Sequence, residues 1–456
     1  MRGATIARMT RPSDPTPPAS ASAPAAPRPV RQAATLIVLR DGPQGLETLL
    51  LRRAEKPNDQ NSGASVFPGG LLDAHDRRLH GFCAGPDDAA ASARLGVADG
   101  GLDYYAAAVR ECFEEAGLLF AQDAQHRMVD LMQLGAAQVT AMRAAAAAGT
   151  EALLSMCEER GWQLAMDRLA YFAHWLTPPG MPRRFDTRFF VAALPPGQDV
   201  QIDRVEIADH AWLRPEDAID PARRLKLMNV QRRILQQLAQ FASVDECLAH
   251  ARGLQRIVLN MPRLAGGLGG QRPVNIEEPA YAEIGFVDPE GRGHARHTLE
   301  AGLVLALSPR VLRVTARAGE GPGAHSYFVG TPGSDAWALI DPWLEAPEHL
   351  QALAAAAPGP VRWLLSRQRD IHSAAVQALR ARWPGAEHPM LAPDRELAIG
   401  DSVLRVFANA GSAQARGFLL LPEGMLFAGA ARWSAGDLPE QVTWLAHSSG
   451  FLQPAR

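Results

Sequence analysis

The nine residues Arg110-Glu111-Cys112-Phe113-Glu114-Glu115-Ala116-Gly117-Leu118 constrain this chain more than any other segment. At 3.6 residues per turn, Glu111, Glu114 and Glu115 fall within an arc of roughly 100° on a helix. Val109, Cys112, Phe113 and Ala116 take the other side and can anchor that helix in a core. Asp103 stands where an N-cap belongs, and Gly117 closes the expected helix from Tyr104 to Ala116. Three carboxylates on one face repel one another unless a hard cation lies between them. Magnesium takes such oxygen ligands and keeps waters and substrate phosphates in its shell. A lone acidic face is more often simply solvated, but the upstream context favours an ion. Phe67-Pro68-Gly69-Gly70 ends a strand and precedes Asp73 and Asp76. A glycine bend lets a backbone carbonyl approach an ion with no Cβ in the way.

At 456 residues the chain exceeds what one compact core accommodates, so two domains are expected. The net charge of -3 argues against bulk nucleic-acid binding, although an arginine pocket for phosphates remains compatible with it. Lys56 and Lys226 are the only lysines, so arginine type alone carries little information. Cys83, Cys112, Cys157 and Cys247 form no CxxC pair, which suggests neither a disulfide framework nor a zinc ribbon and fits a cytoplasmic protein. No apolar run is long enough to span a bilayer. Residues 1–30, rich in Pro, Ala, Ser and Arg, read as a disordered tail and not a secretory signal.

Ala33–Arg40 and Glu47–Arg53 read as strands joined by the turn Asp41-Gly42-Pro43-Gln44-Gly45. Met132–Ala148 and Leu225–Ala251 read as helices, and Asp186–Leu194 and Val205–Leu213 as strands. From about Pro262 to Gly302 glycine and proline thicken and periodicity fades, as in a connection. Strands then resume at 311–316, 326–330, 337–341, 363–366, 402–407, 416–421 and 425–429. The expected class is α+β with two cores.

The first of these units resembles the Nudix family, whose box reads G-x5-E-x7-R-E-U-x-E-E-x-G-U with U a bulky apolar residue. Gly70 matches the opening glycine, Asp76 stands at the first glutamate, and Arg110, Glu111, Glu114, Glu115, Gly117 and Leu118 match the rest. Between Asp76 and Arg110 lie residues 77–109 instead of seven residues, an insertion inside the box. Such insertions occur in a branch similar to peroxisomal coenzyme A diphosphatases. That branch also carries segments like Trp175-Leu176-Thr177-Pro178-Pro179 and Arg184-Phe185-Asp186-Thr187-Arg188-Phe189-Phe190. The resemblance covers roughly 31–251 and implies an α/β/α sandwich. It makes Glu111, Glu114 and Glu115 ligands of magnesium or manganese, with the Gly69 carbonyl added. One of these glutamates, or Glu206, would orient or deprotonate the attacking water. Arg53, Arg184 and Arg188, with Arg183 nearby, would clamp a diphosphate. Pairing of these arginines with Asp186 or other neighbouring acids is the competing reading. Trp175 and Phe189 are better read as core than as base-stacking residues.

After a connector at 252–305, residues 306–456 resemble a metallo-β-lactamase-like αββα domain stripped of its metal site and incomplete. Ser326–Gly330 and Ala338–Pro342 are similar to that family's opening strands. Where THxHxDH belongs stands Ser366-Arg367-Gln368-Arg369-Asp370-Ile371-His372, with Gly411-Ser412 and Gly429-Ala430 at later ligand positions and His447 at the last. Zinc needs at least three good donors, and guanidiniums would repel it. His294 and His297 read as loop histidines.

The expected function is therefore a magnesium-dependent pyrophosphohydrolase of nucleoside-diphosphate-linked substrates, coenzyme A or acyl-CoA among them. A non-catalytic nucleotide- or CoA-binding regulator is the alternative. The expected partner is a small diphosphate, without nucleic acid or membrane, and the second domain would serve as a homodimer surface or a lid.

Overall fold

The computed structural model describes residues 29–57, 61–202, 204–317, 323–342, 347–365, 374–389, 392–409 and 412–456. Strands β1 (Val30–Gly42) and β2 (Gly45–Arg53) form the expected hairpin. They sit at the middle of a mixed sheet ordered Ile207–Leu213, β2, β1, Arg184–Ala193, Ala170–Leu176, Leu259–Asn260. β1 runs parallel to Arg184–Ala193 along its length. On its other side β1 pairs first with the short strand Gly69–Leu71 and then with β2. Burial on both faces explains the unbroken apolar run in β1. Ala34, Leu36 and Val38 point to one core, Ile37 and Leu39 to the other.

The first core is built on helix α2 (Gly101–Ala116), and the second on helices Asn229–Leu238 and Val244–Gly253. The single helix expected over 225–251 is thus two, because Ser243 caps a new start by accepting from the Glu246 N–H. The insertion folds as a 3-10 turn, helix α1 (Asp88–Leu95) packed against α2, and the first half of α2 itself. The expected cap also differs. Asp88, not Asp103, accepts from the N–H groups of Gly100 and Leu102, and Ser92 Oγ accepts from Gly101. Gly101 has to be glycine here, since a Cβ would lie 2.2 Å from Ser92 N. Helix α3 (Ala136–Ala148) follows and covers α2.

The connector is more ordered than its composition suggested. Leu259–Asn260 extends the first sheet beside His174–Trp175. A hairpin Arg263–Ala265/Arg272–Val274 comes next, then helix Tyr281–Val287. Its strands of two or three residues are too short to show a period, which is why only their turns were visible. Glu283 on that helix makes a two-pronged ion pair with Arg313 at 2.6 and 2.8 Å, and both are 1% exposed.

Beyond the connector, two sheets pack face to face. One runs Val304–Ser308, Val311–Thr315, His325–Gly330, Trp337–Ile340, Val361–Leu365; the other begins at Glu396–Ile399 and ends at Gln453–Pro454. Tyr327, Val329 and Ile340 meet Phe418, Leu420 and Phe427 between them. Helices Pro347–Ala356 and Ala374–Arg382 cover the first sheet's outer face. Leu438 and Val442, from a loop, cover the other. The class is α+β, as expected, and the second sandwich lacks a second helical layer among the described residues. No helix there is long and apolar enough to cross a membrane. Arg367, Arg369, Ile371, His372 and Gly411 lie outside the described residues, as do residues 1–28 of the tail.

Two buried histidines in this sandwich are expected to make it acid-sensitive. His325 Nε2 donates to Gly450 O at 2.8 Å, and His349 Nε2 meets Ser326 Oγ at 2.9 Å. Burial pulls their pKa values from 6.5 to about 3 and about 4, respectively. Between those values and 6.5 the unfolded chain binds more protons than the folded one. Stability is therefore full above about pH 6.5 and is lost as pH falls below it, levelling off near the folded values. From about pH 7.5 to about 5 the loss should be about 4 kcal/mol, read by urea unfolding. An equal loss in the His325→Gln/His349→Gln variant would assign the effect to other groups.

Candidate active site

Helix α2 lays its carboxylates against the bend at Gly69-Gly70. The Gly69 N–H donates to Glu115 Oε2 at 2.9 Å. Glu111 lies over Gly70 so closely that a Cβ there would come 2.4 Å from Glu111 Oε1. The side chains of Glu111 and Glu114 are 16% and 18% exposed, so none of the three glutamates is splayed into solvent. The group that Gly69 turns toward a glutamate is its N–H, whereas its carbonyl was the expected ligand.

Arg110 knits the site together. Its Nε and Nη2 donate to the two oxygens of Asp76 at 2.7 and 3.2 Å, and Nη2 also donates to Leu71 O at 2.9 Å. Nη1 reaches Glu111 at 2.9 Å and Glu114 at 3.3 Å. Asp76 is fully buried and accepts in addition from the Asp73 N–H. The residue at the box's first acidic position therefore binds the arginine that holds the glutamates. Desolvation opposes the charge on Arg110, but Asp76, Glu111 and Glu114 outweigh it and hold its pKa above the ordinary value.

Burial raises the Glu111 carboxyl against the pull of Arg110. It pushes Glu114 up to about 7, again against Arg110, and Glu115 up to about 8, against the Gly69 N–H. The charges of Arg110 and Arg53 thus do not offset the burial of this carboxylate face. Among the described residues, no three His, Cys, Asp or Glu side chains already converge on one ion position. Arg110 bridges Glu111 and Glu114, and Gly69 ties Glu115 back. The donor chemistry nevertheless fits a hard divalent cation: oxygen donors only, partly buried, with more carboxylates than nearby cations, over a glycine bend. Gly70→Ala is expected to push the Glu111 carboxylate aside and weaken activating magnesium by on the order of tenfold to a hundredfold. A magnesium titration of turnover checks this, and an unchanged midpoint would count against the site.

Glu206 lies near enough that its charge raises Glu111 and Glu115, and Lys56 stands 3.6 Å from its carboxylate. Sequence reasoning overlooked Lys56, although its rarity as a lysine was a usable signal. Arg53, on the edge of β2, lowers Glu115 by its charge. Arg184 donates from Nε to Thr177 O at 3.1 Å, and Arg183 is exposed. Arg188 takes the competing reading, a pairing with Asp186, in place of the diphosphate clamp. It is 4% exposed, pairs with Asp186, contacts His174 and stacks over Tyr104, so it is an internal ion-pair residue. Its partner His174 lies 2.6 Å from Asp186 and was not foreseen. Trp175 and Phe189 are core, as expected. His297 meets Gly270 O in a loop.

Residues 86–228 match the family model described as the NUDT19 Nudix domain, so the match includes all three glutamates but begins past the glycine bend. Over that stretch the chain is similar to a Nudix domain. It is 28% identical over 252 residues to the acyl-coenzyme A diphosphatase NUDT19 of Homo sapiens, covering 47% of this chain and 67% of the relative. It is 26% identical over 235 residues to the Xenopus laevis protein of that name, covering 44% and 61%. The chain thus spans about three fifths to two thirds of these relatives' length. Among solved structures, a Nudix hydrolase from Alicyclobacillus acidocaldarius matches at 25% identity and a TM-score of 0.42, over 49% of this chain and 97% of that one. A metallo-beta-lactamase from Pontibacter korlensis matches at 16% identity and a TM-score of 0.27, over 34% and 93%.

Proposed function

We propose that this chain is a divalent-metal-dependent Nudix pyrophosphohydrolase that splits the diphosphate of a nucleoside-diphosphate-linked substrate, with coenzyme A or acyl-CoA first among candidates. The observation that carries this reading is the partly buried face of Glu111, Glu114 and Glu115 pressed against Gly69 and Gly70. Those three carboxylates, with the Gly69 carbonyl, would hold magnesium or manganese. When bound, the ion supplies Lewis acidity that polarises the phosphoryl oxygens and relieves the leaving phosphate. Glu206, or one of the three glutamates, takes a proton from the attacking water. The water oxygen bonds to phosphorus as the bridging P–O bond breaks, so each product keeps one phosphate. Arg110 keeps Glu111 and Glu114 facing the substrate, while Arg53 and Arg184 offer charge to the phosphates.

The relatives named as acyl-coenzyme A diphosphatases support CoA thioesters as the first substrates to test. A magnesium-dependent hydrolysis screen over coenzyme A, decanoyl-CoA, NADH and nucleotide sugars decides the matter. Failure of every diphosphate would sink the enzymatic reading and leave the second one, a CoA- or nucleotide-binding regulator. That alternative draws on the insertion at 77–109 inside the box and on the ligand positions the second domain lacks in its sequence. We read the second sandwich as a metallo-β-lactamase-like unit without its metal set, serving as a lid or dimer surface for a cytoplasmic enzyme.

A further inference from the structure

A cavity of about 240 Å³ opens beside the C-terminal end of α2. Leu131, Met132, Ala136 and Val139 wall it, and Gly117 and Gln201 form its floor. Gly117 follows Glu115 by two residues and Gln201 precedes Glu206 by five, so the cavity adjoins both segments that carry the acidic site. The floor is firmly held. The Gln201 N–H donates to Ala116 O at 2.8 Å, and the Gln201 carbonyl accepts from Arg143 Nη1 on α3. Gly117 adopts a left-handed conformation, φ 71°, and a Cβ there would come 2.9 Å from Gln201 O. A glycine is therefore required where the floor meets the helix.

The lining chemistry selects against phosphate. Asp199 is the one ionisable side chain among the lining residues, and it is an acid; no arginine lines the cavity. Met132 is 64% exposed, an apolar side chain left uncovered beside the cavity. Such a cavity suits a flexible hydrocarbon, to which an adaptable methionine conforms.

We propose that this cavity receives the hydrocarbon chain of an acyl thioester substrate, leaving the substrate's phosphates to the carboxylate face. The assignment rests on the coenzyme A reading above and adds a source of selectivity to it. Each methylene buried there favours the longer thioester by about fourfold. Free coenzyme A, with no chain to place, gains nothing from the cavity.

The test uses the full chain and two substrates, coenzyme A and decanoyl-CoA, beside direct binding of dansylaminoundecanoic acid followed by fluorescence. Ala136 is the exposed first residue of α3, so Ala136→Trp fills the cavity from its rim. Met132→Asp, at another exposed position, carries the same expectation should the tryptophan disturb folding in near-ultraviolet circular dichroism. The expected result is a kcat/KM for decanoyl-CoA at least tenfold above that for coenzyme A. Each variant should erase that advantage, leave coenzyme A within twofold, and weaken the dansyl probe at least tenfold. Equal effects on both substrates, or no effect together with unchanged probe binding, would overturn the assignment. If neither thioester nor free coenzyme A is hydrolysed, yet the probe binds and Ala136→Trp abolishes that binding, the cavity stands as an apolar-chain site and the coenzyme A reading falls.

Discussion

Replacing Glu114 or Glu115 by glutamine is expected to lower diphosphate hydrolysis by on the order of 10^3-fold without lowering the unfolding midpoint measured in EDTA. The activity loss follows from removing a charged oxygen that would hold the ion, an interaction worth several kcal/mol at the transition state. The stability expectation comes from the surroundings of Glu115. The residue is 7% exposed, and burial pushes its carboxyl up to about 8, so the fold resists its charge. Glutamine keeps an acceptor oxygen for the Gly69 N–H and carries no charge to desolvate. A protein that folds as well as wild type but no longer turns over separates a chemical role from a structural one. Wild-type turnover in both variants would exclude the proposed metal site.

Breaking the Glu283–Arg313 pair should have the largest effect on stability. Glu283→Ala leaves a guanidinium 1% exposed with no counterion, and it also removes the acceptor for the Leu452 N–H at 2.6 Å. Leaving one charge of such a pair buried and alone costs about 3–5 kcal/mol. Urea unfolding should show that loss in the C-terminal transition. The Glu283→Leu/Arg313→Met double variant should recover most of it, because two apolar groups leave no charge stranded. Since this pair lies in the C-terminal half, hydrolysis at α2 should persist in the single variant at temperatures where that half still folds. A loss below about 1 kcal/mol would mean that water reaches the pair.

These two sites differ in how far they could be read beforehand. The carboxylate face of α2 was legible because helical periodicity is local: spacing alone puts Glu111, Glu114 and Glu115 on one side and Cys112 and Phe113 on the other. The β1–β2 hairpin and most C-terminal strands were legible for the same reason, as apolar runs punctuated by turns. The Glu283–Arg313 pair was not. Nothing local to a helix of seven residues in a glycine-rich connector marks a glutamate that will meet an arginine 30 residues on. The N-cap of α2 was misread likewise, because the insertion brought Asp88 to the free N–H groups before Asp103 could serve.

Residue type and spacing by themselves determined the acidic helix, the glycine bend before it and the apolar strands around it. Those depend on backbone periodicity and on which side chains water excludes, and both are written within a few consecutive positions. Tertiary structure alone decided which charges meet: Arg110 with Asp76 beneath the glutamates, Arg188 turned inward to Asp186, and Glu206 brought beside α2. Electrostatic partnership depends on distance through space and on the loss of water around each charge, and neither exists until the chain has closed on itself.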